Sequence, residues 1–152
     1  MLVGEAPGET EDRLGRPFVG RAGRLLRTSL RLLGIPEEEV YITNVVKCRP
    51  PNNRTPTLEE MRICGEYLRL EVFLVKPRII VALGRVATAF FLNKSPNSVK
   101  LSKLRGKIFS YHGYSVYPTY HPAAVLRNPS LGDIFREDLE KARKIATSEF
   151  YV

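Results

Sequence analysis

The chain is poor in the residues from which several common kinds of site are built. It has no tryptophan and no glutamine, and only two cysteines and two histidines among its 152 residues. Cys48 and Cys64 are too few for a framework of disulfides, and they are not spaced as Cys-x-x-Cys, which argues against a zinc site made by this chain alone. The lack of glutamine, together with many arginines and prolines, is a mild indication of a thermophilic source.

Long hydrophobic runs are also missing. No apolar stretch is long enough to span a bilayer, and the opening residues MLVGEAPG lack the basic start and apolar segment of a signal peptide. We therefore expect a cytoplasmic protein without a membrane partner. Because 43% of the 152 residues are hydrophobic, the chain can bury one substantial core, and we predict a single domain over residues 1–152.

Acidic residues are outnumbered by basic ones. The chain has 24 lysines and arginines against 16 aspartates and glutamates, which gives a net charge of +8. A polyanionic partner explains this excess, and a basic surface that only keeps the protein soluble explains it equally well.

Buried strands alternate with amphipathic helices along the chain. We predict strands at 1–3, 40–46 and 78–83, and a hairpin around His112–Gly113 whose second strand ends at His121. Helices are predicted over 21–33, from a capping box at Thr57 to about Val75, over RVATAFFL, and from 130 to about 147. Because strands that are apolar throughout need cover on both faces, the fold class is α/β, with a three-layer α/β/α sandwich around a short, mainly parallel sheet.

Three loops follow the carboxyl ends of the predicted strands, where such sheets bind their ligands. These loops are GEAPGETED (4–12), NVVKCRPPNNR (44–54) and YHPAAVLRNPS (120–130). Glu5 is either a carboxylate that orients or activates a water, or part of a solvated acidic turn. Asn44, among β-branched residues, either satisfies neighbouring backbone or reads a planar ligand.

Two rings have a similar choice of roles. Phe18, in the glycine-flanked GRPFVG, is either a core residue or a platform on which a base stacks. His121 either packs at the end of a strand or donates to a developing anion. Basic residues of three loops are expected to rim the same ligand crevice, where they either contact phosphates or form an ordinary surface. They are Lys47, Arg49 and Arg54 in one loop, Lys100, Lys103, Arg105 and Lys107 in a second, and Arg127 with Asn128 in a third. Leu126–Arg127 is a candidate wedge for a base stack.

Four segments together resemble the motif set of the family 4 uracil-DNA glycosylases, the iron–sulfur type. They are GEAPGETED, GRPFVGRAG, TNVVKCRPPNNRTP and TYHPAAVLRNP, and they occur in order from about Val3 to Pro129. Each motif alone is weak evidence, whereas four in register are specific. The acid at Glu5 argues against the related family 5, which resembles this set but lacks an acid at that point.

The resemblance implies a uracil-DNA glycosylase-like fold and a monofunctional DNA repair enzyme. Such an enzyme hydrolyses the N-glycosidic bond of deoxyuridine flipped out of DNA, releases uracil and leaves an abasic site. It implies that Glu5 positions the water, that Phe18 stacks on the base, that Asn44 reads the uracil edge, and that His121 stabilises charge on uracil O2. Ala6, Pro7 and Gly8 would lie against the uracil.

The partner implied by the resemblance is uracil-containing DNA in a prokaryotic nucleoid, bound by a monomer. Contacts to DNA would come from Lys47, Arg49 and Arg54, and the loop from Ala123 to Asn128 would probe the minor groove with Leu126, Arg127 and Asn128. One alternative is a catalytically impaired DNA-binding protein of the same fold. A second alternative, an enzyme of free nucleosides or nucleotides, is disfavoured by the basic rim.

The family's [4Fe–4S] cluster has four cysteine ligands. Cys48 and Cys64 match the last two, and the first two are expected in a Cys-x-x-Cys ahead of the GEAPG strand, where this sequence has none. As written, the chain cannot complete the cluster. Either the natural protein is longer at its start, or it has lost the cluster; we expect the first.

Overall fold

A five-stranded sheet lies at the centre of the computed structural model, which describes residues 1–148. The strands are β1 (Leu2–Gly4), β2 (Ile42–Asn44), β3 (Ile80–Leu83), β4 (Phe109–Tyr111) and β5 (Tyr114–Thr119). Their order is β2-β1-β3-β5-β4, and every neighbouring pair is parallel except the β4–β5 hairpin. The prediction of a short, mainly parallel sheet is confirmed.

Seven helices surround the sheet within the described residues. They are α1 (Glu9–Leu14), α2 (Arg21–Leu32), α3 (Leu58–Val75), α4 (Arg85–Leu92), α5 (Leu101–Leu104), α6 (Pro122–Arg127) and α7 (Gly132–Thr147). The four longest confirm predicted helices. The predictions of loop at α1, α5 and α6 were wrong, because helices of four to six residues are too short to show helical periodicity. None of the helices within residues 1–148 is long and apolar enough to cross a membrane.

Side chains of successive strand residues alternate between two separate cores. Val3, Ile80 and Ala82 pack on one face, with residues of α3 and α4. Leu2, Val81 and Leu83 pack on the other face, with residues of α2 and α7. Because a strand directs alternate side chains to opposite faces, this division confirms the three-layer sandwich.

Helix α3 is apolar on two opposite sides. Its predicted capping box is confirmed, since Thr57 Oγ1 accepts the Glu60 N–H at 3.1 Å and Glu60 Oε1 accepts the Thr57 N–H at 2.9 Å. The side facing the sheet buries Met61, Gly65, Leu68 and Val72. The same spacing displaced by two positions leaves Ile63, Tyr67, Leu70 and Leu74 more than half exposed. Only one of the two apolar sides is therefore packed within residues 1–148.

A fully buried carboxylate joins α7 to the end of β5. Asp138 is 0% exposed and accepts hydrogen bonds from Arg105 Nε at 2.9 Å, from Arg105 Nη2 at 2.6 Å and from Thr119 Oγ1 at 2.7 Å. These bonds raise the pKa of the Arg105 guanidinium. Arg105 thus has an internal partner, and the sequence-based suggestion that it contacts phosphate is not supported by its position.

Replacing Arg105 with alanine is expected to lower the free energy of unfolding by about 3–5 kcal/mol, because the buried Asp138 loses its charged partner. Chemical denaturation at neutral pH measures this loss. Lys103→Ala is the matched control, because Lys103 is an exposed cation on the neighbouring turn of α5, and we expect it to change stability by no more than about 0.5 kcal/mol. Equal losses in the two variants would contradict the importance of the buried pair.

Candidate active site

Four parallel strands end at one edge of the sheet, and the residues at their ends form a crevice. Asn44 is the last residue of β2, Glu5 follows β1, Arg85 follows Gly84 after β3, and His121 follows β5. Because β2, β1, β3 and β5 are neighbours in this order, the four positions lie side by side. The carboxyl edge of a parallel sheet is where such folds bind ligands.

Asn44, Phe18 and His121 form one contiguous group through a glycine. A Cβ atom on Gly4 would lie 2.5 Å from Phe18 Cζ and 2.6 Å from Asn44 Oδ1, so only glycine fits beneath this pair. The rings of Phe18 and His121 are stacked, with centroids 5.6 Å apart and an interplanar angle of 28°. The structure thus brings together three residues from three separate segments of the chain.

The side chain of Asn44 is buried without a protein partner for its oxygen. Asn44 is 4% exposed, and its Oδ1 has no hydrogen-bond partner among residues 1–148. Leaving a buried acceptor unpaired costs about 1–3 kcal/mol. An N–H group of a ligand that reached this oxygen would satisfy it. Asn44 also borders a cavity of about 210 Å³, together with Pro7, Glu11 and Lys47.

The ammonium group of Lys47 binds the backbone of Asn44. Its ammonium donates to the Asn44 carbonyl at 2.7 Å and to Thr43 Oγ1 at 2.6 Å, and it also forms an ion pair with Glu71. Lys47 is expected from the sequence to contact DNA, and in the structure its ammonium already has three acceptors. The contact to DNA stays a prediction.

His121 is fixed in one tautomer by its place at the start of α6. Its Nδ1 accepts the Ala123 N–H at 3.0 Å, so the proton of the neutral ring must lie on Nε2. Burial first, and then the nearby charge of Arg127, lowers the pKa of His121 to about 4, against a smaller opposing effect of Glu11. At neutral pH this residue is therefore an uncharged imidazole with a single N–H donor.

Glu5 is half-buried in the crevice, and the charges of two arginines act on it. Burial raises the pKa of its carboxyl group, while the charges of Arg85 and then Arg127 lower it. Its backbone carbonyl accepts the Val46 N–H at 3.0 Å, which joins the loop after β1 to the loop after β2. A carboxylate whose pKa is raised is a stronger proton acceptor, and this is the property needed to orient or activate a water.

The three residues after Glu5 are half-buried and precede α1. Ala6, Pro7 and Gly8 connect the crevice to this helix, and the Gly8 N–H donates to Glu11 Oε1 at 3.1 Å. Pro7 faces the cavity that Asn44 also lines. Their assignment as contacts of a base stays a prediction.

The residues expected to contact DNA lie on two exposed segments. Arg49 donates to Asn53 Oδ1 at 2.7 Å, and Arg54 forms a two-bond pair with Glu60 at 2.6 and 3.2 Å. Leu126 and Arg127 form the last turn of α6, where Leu126 is half-buried and Arg127 exposed. Asn128 follows and accepts hydrogen bonds from Ser130. Of these, Arg127 influences the charge state of both Glu5 and His121.

Two residues of the crevice are absent from the sequence-based assignments. Arg85 follows the carboxyl end of β3, so the rule that identified the other loops could have found it. Gly84, just before it, has a φ of +96° and a virtual Cβ only 3.0 Å from His121 Cβ, so a side chain there would disturb His121. Glu11 accepts backbone hydrogen bonds from Gly8, Val19 and Gly20, which the acidic composition of GEAPGETED does not indicate.

The donor set for an iron–sulfur cluster is incomplete in this chain. Cys48 is exposed, and Cys64 is a partly buried residue of α3. No group of three or more cysteine, histidine or acidic side chains that could hold a metal ion occurs within residues 1–148. The residues present supply at most two of the four thiolates that such a cluster needs, so they do not fit it by themselves.

Comparison with known proteins gives a consistent picture. The model of the family described as the uracil DNA glycosylase superfamily matches residues 1–145. A type-4 uracil-DNA glycosylase of Thermotoga maritima is 51% identical, with 98% of this chain and 78% of the relative aligned. A second, of Sulfurisphaera tokodaii, is 49% identical, covering 96% of this chain and 69% of the relative. A type-5 uracil-DNA glycosylase of Pyrobaculum aerophilum is 35% identical, covering 98% and 71%.

Proposed function

Since the chain belongs to the uracil DNA glycosylase superfamily and, within it, to the type-4 enzymes, we propose that it hydrolyses the bond between uracil and deoxyribose in DNA. The products are free uracil and an abasic site. The observation that carries the proposal is the buried, unpaired Oδ1 of Asn44, which lies against Gly4 beside the ring of Phe18 at the carboxyl edge of the sheet.

Asn44 distinguishes uracil from cytosine. Its Oδ1 accepts the N3–H of uracil, and its amide NH₂ group donates to O4. In cytosine the ring N3 is an acceptor and the 4-amino group is a donor, so both contacts would become repulsive. A site built around such a pair rejects the wrong base because its buried polar groups are left unpaired.

His121 stabilises the departing base. The C1′–N1 bond breaks with its electron pair going to uracil, which leaves as an anion with charge on O2. The Nε2–H of the neutral imidazole donates to that oxygen, and the Ala123 N–H holds the ring in the tautomer that can do so. Because the pKa of His121 is lowered to about 4, the ring does not have to lose a proton before it acts at neutral pH.

Glu5 acts on the sugar side of the bond. Its carboxylate orients the water that attacks C1′ and accepts a proton from it, while its charge stabilises the oxocarbenium-like sugar. Phe18 provides the apolar surface on which the base lies, and Arg127 with Leu126 contacts the DNA from which the nucleotide has been flipped. Flipping costs a few kcal/mol, which such contacts offset.

The enzyme would act as a monomer on chromosomal DNA in the cytoplasm of a prokaryote. Release of uracil as described above uses only side chains of this chain and water. The iron–sulfur cluster implied by the type-4 resemblance takes no part in these steps, and the two thiols of Cys48 and Cys64 do not suffice to hold it.

Release of uracil from a labelled oligonucleotide tests the proposal. The wild-type protein is expected to release free uracil from a strand with one deoxyuridine and none from the matched deoxycytidine strand. Glu5→Gln is expected to lower the rate about 10²–10⁴-fold, because the amide cannot accept the proton of water. Glu9→Gln is the control, because it removes one negative charge at an exposed position four residues from Glu5. It should keep the wild-type rate.

Two results would count against the proposal. Binding of uracil-containing DNA by the folded wild-type protein without release of the base would favour the DNA-binding alternative. A wild-type rate in Glu5→Gln would show that another group orients the water; the exposed Asp12 is then the better candidate, because the Glu11 carboxylate is already occupied by backbone N–H groups.

A further inference from the structure

The carboxylate of Glu11 joins two loops that are separate in sequence. Its Oε1 accepts the Gly8 N–H at 3.1 Å, and its Oε2 accepts the Val19 N–H at 2.9 Å and the Gly20 N–H at 2.6 Å. Gly8 ends the loop that carries Glu5, whereas Val19 and Gly20 follow Phe18 directly. The side chain of Glu11 on α1 therefore connects the loop that carries Glu5 to the loop that carries Phe18.

The segment that carries Phe18 needs such support, because its backbone is strained. Phe18 has a φ of +52°, in the left-handed region that non-glycine residues rarely adopt. On its other side the segment is held by Arg27, which donates to the Phe18 carbonyl and to the Pro17 carbonyl, each at 3.1 Å. The Arg27 guanidinium thus binds the carbonyls of Pro17 and Phe18, and the Glu11 carboxylate binds the N–H groups of the two residues that follow.

The same hydrogen bonds leave Glu11 little capacity for chemistry. Three N–H groups already use both carboxylate oxygens, and hydrogen bonds to ionised acceptors are about twice as strong as neutral ones. Releasing Glu11 to bind a water would leave backbone donors of two loops unpaired. Glu11 therefore differs from Glu5, whose carboxyl group is half-buried and influenced by the charges of Arg85 and Arg127.

We infer that Glu11 is a positioning residue for base stacking: by accepting the Gly8, Val19 and Gly20 N–H groups, it holds Phe18 in its strained conformation against His121. The inference rests on the proposed function, because the stacked base is the uracil. It assigns Glu11 no contact with substrate or water. The effect of losing Glu11 should therefore depend on whether the ring of Phe18 is present.

A double-mutant cycle measures that dependence. Uracil release is compared in the wild type, Glu11→Gln, Phe18→Leu and the double variant; leucine removes the flat ring while keeping most of the apolar volume. Glu11→Gln is expected to lower kcat/KM roughly 10–100-fold in the wild-type background, since a charge-assisted bond is replaced by a donor facing the Gly8 N–H. In the Phe18→Leu background the same change should cost less than about threefold.

Glu11→Asp separates geometry from charge. Aspartate keeps the negative charge near His121, but its side chain is one methylene shorter and cannot reach both loops. It is therefore expected to lose about as much activity as Glu11→Gln, whereas a purely electrostatic role would preserve the wild-type rate and overturn the inference. Glu9→Gln again controls for a charge change on α1.

Amide hydrogen exchange gives a second readout that does not need activity. The Val19 and Gly20 amides should exchange roughly tenfold faster in Glu11→Gln than in the wild type, and at the wild-type rate in Glu9→Gln. Unchanged exchange, or equal losses of kcat/KM in both backgrounds of the cycle, would overturn the inference. Absence of uracil release by the wild type would instead overturn the proposed function, and exchange would then decide alone whether Glu11 holds the loop.

Discussion

Replacing His121 with alanine is expected to lower the rate of uracil release about 10²–10³-fold, which is the usual loss when one donor to a developing anion is removed. The reason is geometric, because the Nδ1 atom is already bonded to the Ala123 N–H and the Nε2–H is the ring's single donor. Single-turnover release from a labelled oligonucleotide measures the loss. The protein should stay folded, since a lost cap of a six-residue helix costs about 1 kcal/mol.

The second histidine offers a control. His112 lies in the β4–β5 turn with a φ of +45°, and asparagine tolerates this conformation, so His112→Asn should retain the wild-type rate. Equal rates in His121→Ala and His112→Asn would exclude His121 from the reaction.

The pH dependence provides an independent check on His121. Because burial lowers its pKa from 6.5 to about 4, the unfolded chain binds this proton more readily than the folded protein does. Its contribution to stability is therefore complete above about pH 6.5 and is lost as the pH falls towards 4. His121→Ala should remove this part of the pH dependence of unfolding. A wild-type release rate that fell as the pH rose through about 6.5 would indicate a protonated imidazole and contradict a neutral donor.

Replacing Asn44 with alanine is expected to abolish the discrimination between uracil and cytosine and to lower the rate of uracil release roughly 10³-fold. The reason is that the edge of the base loses both of its contacts to Asn44. The free energy of unfolding should fall less than it does for an ordinary core truncation. Since Asn44 Oδ1 is buried and unpaired, removing it relieves a cost of about 1–3 kcal/mol, which offsets the cavity that alanine leaves. Such a residue lowers stability in return for function.

Two measurements on the same variant check this expectation. Release of uracil gives the loss of activity, and denaturant unfolding gives the change in stability. Asn97→Ala, at an exposed asparagine of a short turn, serves as the control and should affect neither quantity. If Asn44→Ala lost several kcal/mol of stability while releasing uracil normally, Asn44 would be a structural residue and the recognition of uracil would lie elsewhere.

Local patterns predicted the long elements well. The capping box at Thr57, the continuous apolar strand at Ile80–Leu83 and the alternation of strands with helices all recur in the structure. The strand predicted over 40–46 is limited to Ile42–Asn44. Helix α3 shows the limit of such patterns, because it is apolar on two opposite sides and its composition does not indicate which side faces the sheet.

Charge is a second property that the sequence describes only in sum. Arg105, Lys47 and Arg54 look alike as basic loop residues, yet each is paired with an acid on a helix. Their partners are Asp138 on α7, and Glu71 and Glu60 on α3, respectively. Arg127 is exposed and acts on the crevice. A count of cations therefore predicts an affinity for polyanions but does not identify which cations are free to provide it.

By itself, the sequence determined the fold class, the order of the main elements, the four motifs and hence the family of this protein. The elements and the fold class follow from local periodicity, and the family follows from the resemblance of the four motifs. Both can be read from residues that are close together in the sequence. Only the tertiary structure decided that Asn44 Oδ1 is unpaired, that His121 carries its proton on Nε2, and that Glu11 accepts the backbone N–H groups of the two residues after Phe18. Each of these depends on burial or on hydrogen bonds to another loop, and such partners exist only once the strand ends have been brought together.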